Sequence, residues 1–230
     1  MQCIECASPA TQLFREFPGG VIQIAHCSFC NQIIDKYVEC DAVLILLDAL
    51  LQKAQAYRHL LFNSADVRRT VWKLLLILLI CDAYIKRDNL WPREEATSTS
   101  AIFDAALEWQ FYSAFVLCVI EEFMFVLCVL LLTYITFYFT TQVKTPAMLI
   151  INALIVSSSG KLLAILAMVW GQTHSLQYLL LTKCFVFTSN VTAFKVVSQS
   201  NRLQAIIVIG LSQVMQTCAS DCFVSHFYDS

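Results

Sequence analysis

MQCIEC at residues 1–6 and CSFC at residues 27–30 place four cysteines in the spacing C-x2-C-x20-C-x2-C. Each C-x2-C turn presents two sulfurs on one side of the backbone, and two such turns face to face complete a tetrahedron around one Zn²⁺. Cys3, Cys6, Cys27 and Cys30 are therefore the candidate ligands of a single zinc ion. Its role is structural, because four thiolates leave no open position for water. Two local disulfides, Cys3 with Cys6 and Cys27 with Cys30, are the competing use of the same residues, and a reducing compartment opposes them. His26 adjoins Cys27 and reads as a neighbour rather than a fifth ligand. Between the turns, QLFREF and VIQIAH read as two short strands joined by Pro18-Gly19-Gly20, where glycine supplies positive-φ geometry. A unit of about 30 residues buries too little apolar surface to fold alone, so metal binding must supply the folding energy. A RING-type ligase module needs two ions and about eight ligands, and only one set is present.

The rest of the chain is of a different kind. Mean hydropathy is +0.66, and 14% of the residues are charged, against about 25% in soluble domains. That deficit, with several long apolar runs, places the chain in a membrane. A net charge of −2 leaves no basic stripe to displace phosphate counterions, so nucleic acid is excluded as a partner. The opening MQCIECASPA has neither a basic start nor an apolar core, so the first membrane segment is expected to act as the insertion signal. Of the remaining cysteines, Cys81, Cys118, Cys128 and Cys184 lie in or beside apolar runs and serve as small hydrophobes. Cys40 stands outside the four-cysteine set. Cys218 and Cys222 are either free thiols or a pair in an oxidising lumen.

Five spans are expected, at 70–85, 123–141, 146–170, 176–197 and 203–218. The first, TVWKLLLILLICDAYI, is short, with Lys73 near one end and Asp82 near the other. A polar loop containing Pro92 follows, with a short helix at 101–109. The apolar run 111–141 is too long for one crossing. Glu121 and Glu122 divide it, and are expected at the interface. The third span carries SSSGK at its middle, where a local break or kink is expected. Lys161 in hydrocarbon would cost about 2.5–3.5 kcal/mol on insertion scales. Ser157, Ser158, Ser159 and Lys161 therefore mark either an intramembrane lipid contact or a helix-packing site. Asp82, Glu121 and Glu122 are the acids available to Lys161.

Arg58, Arg68 and Arg69 precede the first span, which puts the zinc module in the cytosol by charge bias. Five crossings then place Lys144 and Arg202 on the same side. Lys86, Arg87 and Arg93 disagree, because their loop becomes lumenal. If the first segment only dips into the membrane, every later loop flips. The fold class expected is an all-α polytopic membrane protein of four or five transmembrane helices. It carries a zinc-ribbon-like module at 1–40, an amphipathic helix at 41–63 and a membrane region at 70–220.

Asp41 is a plausible N-cap for that helix, and apolar residues at 43, 44, 47, 50, 51, 54 and 61 keep a helical stripe. It either lies on the membrane surface or packs on the zinc knuckle. Tyr57, Arg58 and His59 at its end suit the headgroup layer, and a solvated last turn is the other reading.

The two C-x2-C pairs, DKYVECD, LLDALL and AYRHLLFN occur in this order from residue 3 to 63. Together they resemble the homology domain of the Arv (ACAT-related enzyme required for viability) family. SSSGKLLAILAMVW and FVFTSN look like the same family's membrane half. The resemblance implies a multi-pass protein of the endoplasmic reticulum with roles in sterol trafficking, sphingolipid metabolism and GPI-anchor biosynthesis. Its implied partners are membrane lipids, sterol foremost, or subunits of the glycosyltransferase that starts GPI anchors. The chain has no His-x4-Asp pair, glycine-rich phosphate loop or Gly-x-Ser-x-Gly elbow. A non-enzymatic role is therefore expected, as a lipid-handling mediator or as a scaffold.

Overall fold

A computed structural model describes residues 1–18, 21–91, 100–139, 145–165 and 176–228. In the N-terminal head, β1 (Phe14–Phe17) pairs antiparallel with β2 (Val21–Ile24), with Phe14 opposite Ile24 and Phe17 opposite Val21. The expected hairpin is present, and its two glycines lie outside the described residues. The cysteine turns flank it as near copies of each other. In each, the residue after the second cysteine turns left-handed, Ala7 at φ 64° and Asn31 at φ 58°. Each donates its N–H to the carbonyl of the first cysteine, Ala7 to Cys3 (3.1 Å) and Asn31 to Cys27 (2.9 Å).

The helix expected over 41–63 is three pieces. They are α1 (Ala42–Leu50), α2 (Ala54–Arg58) and a single π turn (His59–Asn63). The break falls at Gln52, which takes φ 57°. Its side-chain amide donates to the Phe185 carbonyl (3.2 Å) and to Thr188 Oγ1 (2.8 Å). This distant anchor offsets the strain of a left-handed non-glycine residue. Asp41 occupies the N-cap position of α1 but makes no side-chain capping bond. The polar Asp48 points inward to the Tyr37 hydroxyl (2.7 Å). Val43, Leu47 and Leu51 point outward, 66%, 49% and 69% exposed. The helix is thus turned inside out relative to one in water.

The body has five long helices among the described residues: α3 (Ala65–Leu90), α4 (Ser100–Phe139), α5 (Ala147–Ser157), α6 (Leu176–Ser198) and α7 (Arg202–Tyr228). Ser64 caps α3 by accepting from the Val67 N–H. The short helix expected at 101–109 is the start of α4, which continues unbroken through Glu121 and Glu122. At SSSGK, α5 tightens into a 3-10 turn (Ser158–Leu162), as expected of a stretch rich in serine and glycine. The last helix runs well beyond residue 218. Phe125, Val129, Ile150, Leu154, Phe194 and Ile209 bring α4 to α7 into one core, which Tyr57 and Leu61 join from the head.

Four stretches are long and apolar enough to cross a membrane: Leu107–Phe137, Ala147–Ile165, Leu180–Ser198 and Arg202–Ser225. The segment expected at 70–85 is not among them, because Lys73, Asp82, Lys86 and Arg87 interrupt it. Its path is nevertheless that of its neighbours. Val71, near the start of α3, packs with Tyr57 and Ile150 at the head end. Leu90, at its finish, meets Phe223 and Val224 near the far end of α7. The start of α7, Arg202, lies beside Arg58 of the head. So α3 runs the same course as α7, from head to far end. In variants that keep the four N-terminal cysteines and one other, either Cys40 or a cysteine introduced by Ser230→Cys, reconstituted in sealed vesicles, the two positions should react from opposite faces with an impermeant maleimide. Labelling of both from one face would contradict a crossing by α3.

Candidate functional site

All four Sγ atoms of Cys3, Cys6, Cys27 and Cys30 lie within 4.8 Å of one another. Cys3 Sγ is 3.8 Å from Cys30 Sγ, and Cys6 Sγ is 3.7 Å from Cys27 Sγ. A tetrahedron with metal–sulfur bonds of about 2.3 Å has edges of about 3.8 Å, which these two distances match, so the cluster could hold an ion of this kind. All four are free cysteines, and neither local disulfide forms. Ser8 was not singled out from the sequence. Its hydroxyl lies 3.0 Å from Cys6 Sγ and 3.2 Å from Cys27 Sγ. As a donor it favours the thiolates, lowering both thiols and bringing Cys27 to about 6. His26 is outside the cluster, paired through its backbone with Ile33.

Behind the sulfurs lies a fully buried carboxylate, Asp35. It accepts from the Tyr37 N–H (3.0 Å), His59 Nδ1 (2.7 Å) and Asn63 Nδ2 (2.7 Å). Asn63 also exchanges two hydrogen bonds with the backbone of Gln2, next to the first ligand. Arg58 Nη1 donates to the carbonyls of Ile4 and Glu5, inside the first cysteine turn. These contacts give Tyr57, Arg58 and His59 partners within the protein. His59 is 9% exposed and Tyr57 1%, with the Tyr57 hydroxyl 2.6 Å from Ser189 Oγ on α6. The three residues lock the head together and onto the bundle.

From Ser189 the polar chain continues into the membrane body. Ser189 Oγ donates to the Ser157 carbonyl (2.9 Å), and Ser157 Oγ donates to Asn190 Oδ1. Ser158 is buried and Ser159 partly so. A Cβ on Gly160 would sit 2.6 Å from the Phe185 ring. The serine–glycine stretch therefore packs closely against Phe185 of α6. Lys161 is held by two carboxylates, Asp82 Oδ2 and Glu122 Oε2, each at 2.9 Å. Glu121 is ion-paired with Lys86. The two glutamates thus stand within the Leu107–Phe137 stretch, each ion-paired with a lysine, rather than at an end of it. Replacing Lys161 with Met leaves Asp82 and Glu122 facing each other uncompensated. It should destabilise the fold by about 3–5 kcal/mol. The triple variant K161M/D82N/E122Q should recover most of that loss, read as thermal unfolding of the detergent-purified chain.

Residues 2–194 match the Arv1-like family. Protein ARV1 of Homo sapiens is 35% identical over 208 residues, covering 90% of this chain and 76% of the relative. Protein arv1 homolog of Dictyostelium discoideum is 33% identical over 227 residues, covering 91% and 89%. Protein arv1 of Schizosaccharomyces pombe is 28% identical over 256 residues, covering 99% and 93%. No solved structure matches the chain. With its four-sulfur head and the match across most of its length, the chain belongs to the Arv1-like family.

Proposed function

We propose that the chain is a non-enzymatic lipid-handling mediator of the endoplasmic reticulum membrane that moves or distributes sterol, and through it affects sphingolipid balance. The observation that carries this reading is the inverted α1. Its leucines face away from the protein while Asp48 is tied inward to Tyr37 (2.7 Å). Gln52, directly after α1, is bonded to Phe185 and Thr188, within the α6 span that ends at Ser198. An apolar face at that level meets lipid rather than water. Within the head, α1 is thus the membrane-inserted element beside the bundle, placed to disturb lipid packing where a sterol leaves or enters.

The ion we assign to the four sulfurs is Zn²⁺, with the head in the cytosol. Reducing conditions there keep the thiols available, and Arg58, Arg68 and Arg69 satisfy the charge bias. The Zn²⁺ supplies folding energy and no reaction step. Cys27→Ser should remove bound zinc and unfold the head, whereas Cys118→Ser should leave one equivalent per chain, both read by metal analysis of purified protein. For the function, the purified chain in liposomes should accelerate sterol exchange with acceptor vesicles. Failure both to bind sterol and to alter its exchange would sink the mediator reading. Stoichiometric co-purification with glycosyltransferase subunits of GPI-anchor assembly would then support a scaffold instead.

A further inference from the structure

Between the head and the turn from α6 to α7 lies a cleft of about 740 Å³, within the size range of small-molecule sites. Three cations line it: Arg58 from α2, Lys195 near the end of α6 and Arg202 at the start of α7. None of its lining residues is Asp or Glu. Among the described residues, neither Lys195 nor Arg202 forms an ion pair. Arg58 spends Nη1 on backbone carbonyls, and the neighbouring Glu5 carboxylate is engaged by Gln55 (3.2 and 3.3 Å). The charge carried by the residues lining the cleft is therefore positive. Phe187, Val191 and Ile206 form its apolar wall, and Leu203 beside them is 75% exposed. The cleft sits where one span ends at Ser198 and the next begins at Arg202, the depth at which phosphates of a bilayer leaflet lie.

We propose that this cleft binds one acidic glycerophospholipid, its phosphate between Lys195 and Arg202 beneath Arg58 and its acyl chains along Phe187, Val191 and Ile206. Charge complementarity selects the acidic headgroup, and the apolar wall selects a lipid over a soluble phosphate. This deepens the lipid-handling reading and rests on it, by naming a ligand that holds the head against the leaflet.

The test uses the full zinc-loaded chain in detergent, incubated with phosphatidic acid, phosphatidylinositol or phosphatidylcholine, with retained lipid counted by native mass spectrometry. One acidic lipid per chain should be retained in preference to phosphatidylcholine. Lys195→Gln with Arg202→Gln should weaken retention about tenfold or more. Lys183→Gln, on the same helix but outside the cleft, should leave it unchanged. Should the double variant lose zinc or melt early, Val191→Trp, which fills the cleft and spares its charges, should also abolish retention. Equal retention of phosphatidylcholine, or full retention by a folded cleft variant, overturns the proposal. Displacement by excess glycerol 3-phosphate overturns the lipid assignment in favour of a bare anion site. Sterol exchange is measured separately, so a chain that retains the acidic lipid but moves no sterol refutes the mediator reading and keeps the site.

Discussion

The structure depends on one constraint: the head is too small to hold itself together. Its two small clusters are Cys3, Leu13, Cys27 and Ile34, and Ile4, Tyr37, Ala49 and Ala56, with partly buried neighbours. A core of that size falls far short of the conformational entropy lost on ordering about 60 residues. Directional bonds make up the difference at two levels. Sulfur closes the outer end around an ion. Asp35 closes the inner end, drawing Tyr37, His59 and Asn63 onto one carboxylate. A buried carboxylate is costly unless its oxygens are satisfied, and three donors satisfy this one. The two words that carry the family likeness, DKYVECD and AYRHLLFN, are therefore halves of a single contact. Asp35 and Tyr37 come from the first, and His59 and Asn63 from the second.

That contact also explains which parts were legible in the sequence. The cysteine turns are local, each pair three residues apart, so spacing alone reveals them. The hairpin is equally local. The helix break at Gln52 has its cause at Phe185, across 133 positions, and no periodicity in the segment announces it. Tyr57, Arg58 and His59 have the composition of interface anchors, and composition cannot show that Asp35 and Ser189 wait for them inside. Ser8 beside the sulfurs carries no signal at all, since an isolated serine two residues past a knuckle is ordinary.

The charges of the membrane body are hard to place from the sequence for a related reason. Glu121 and Glu122 look like a boundary because two adjacent acids in hydrocarbon are prohibitive without partners. Their partners, Lys161 and Lys86, come from α5 and α3. Asp82 and Lys86 likewise make α3 look too polar to cross, yet each meets an opposite charge from a neighbouring helix. Charges that disqualify each segment singly are paired once the helices assemble. The acids available to Lys161 could be named in advance, because few exist in the apolar half. Which of them paired required the parallel course of α3 and α5.

The path of α3 then decides how head and bundle relate. If α3 stopped short of the far side, three crossings would separate the head from the α6–α7 turn and put them on opposite faces. The cleft has Arg58 on one wall and Arg202 on the other, so head and turn share a face, and the number of crossings between them is even. An even number requires α3 among them. Charge bias agrees: Arg58, Lys195 and Arg202 gather on one side of the bilayer, where anionic headgroups offset their mutual repulsion. The ion pairs that hold α3 along the bundle thus go together with a head and an α6–α7 turn at the same end, where Arg58, Lys195 and Arg202 line one cleft.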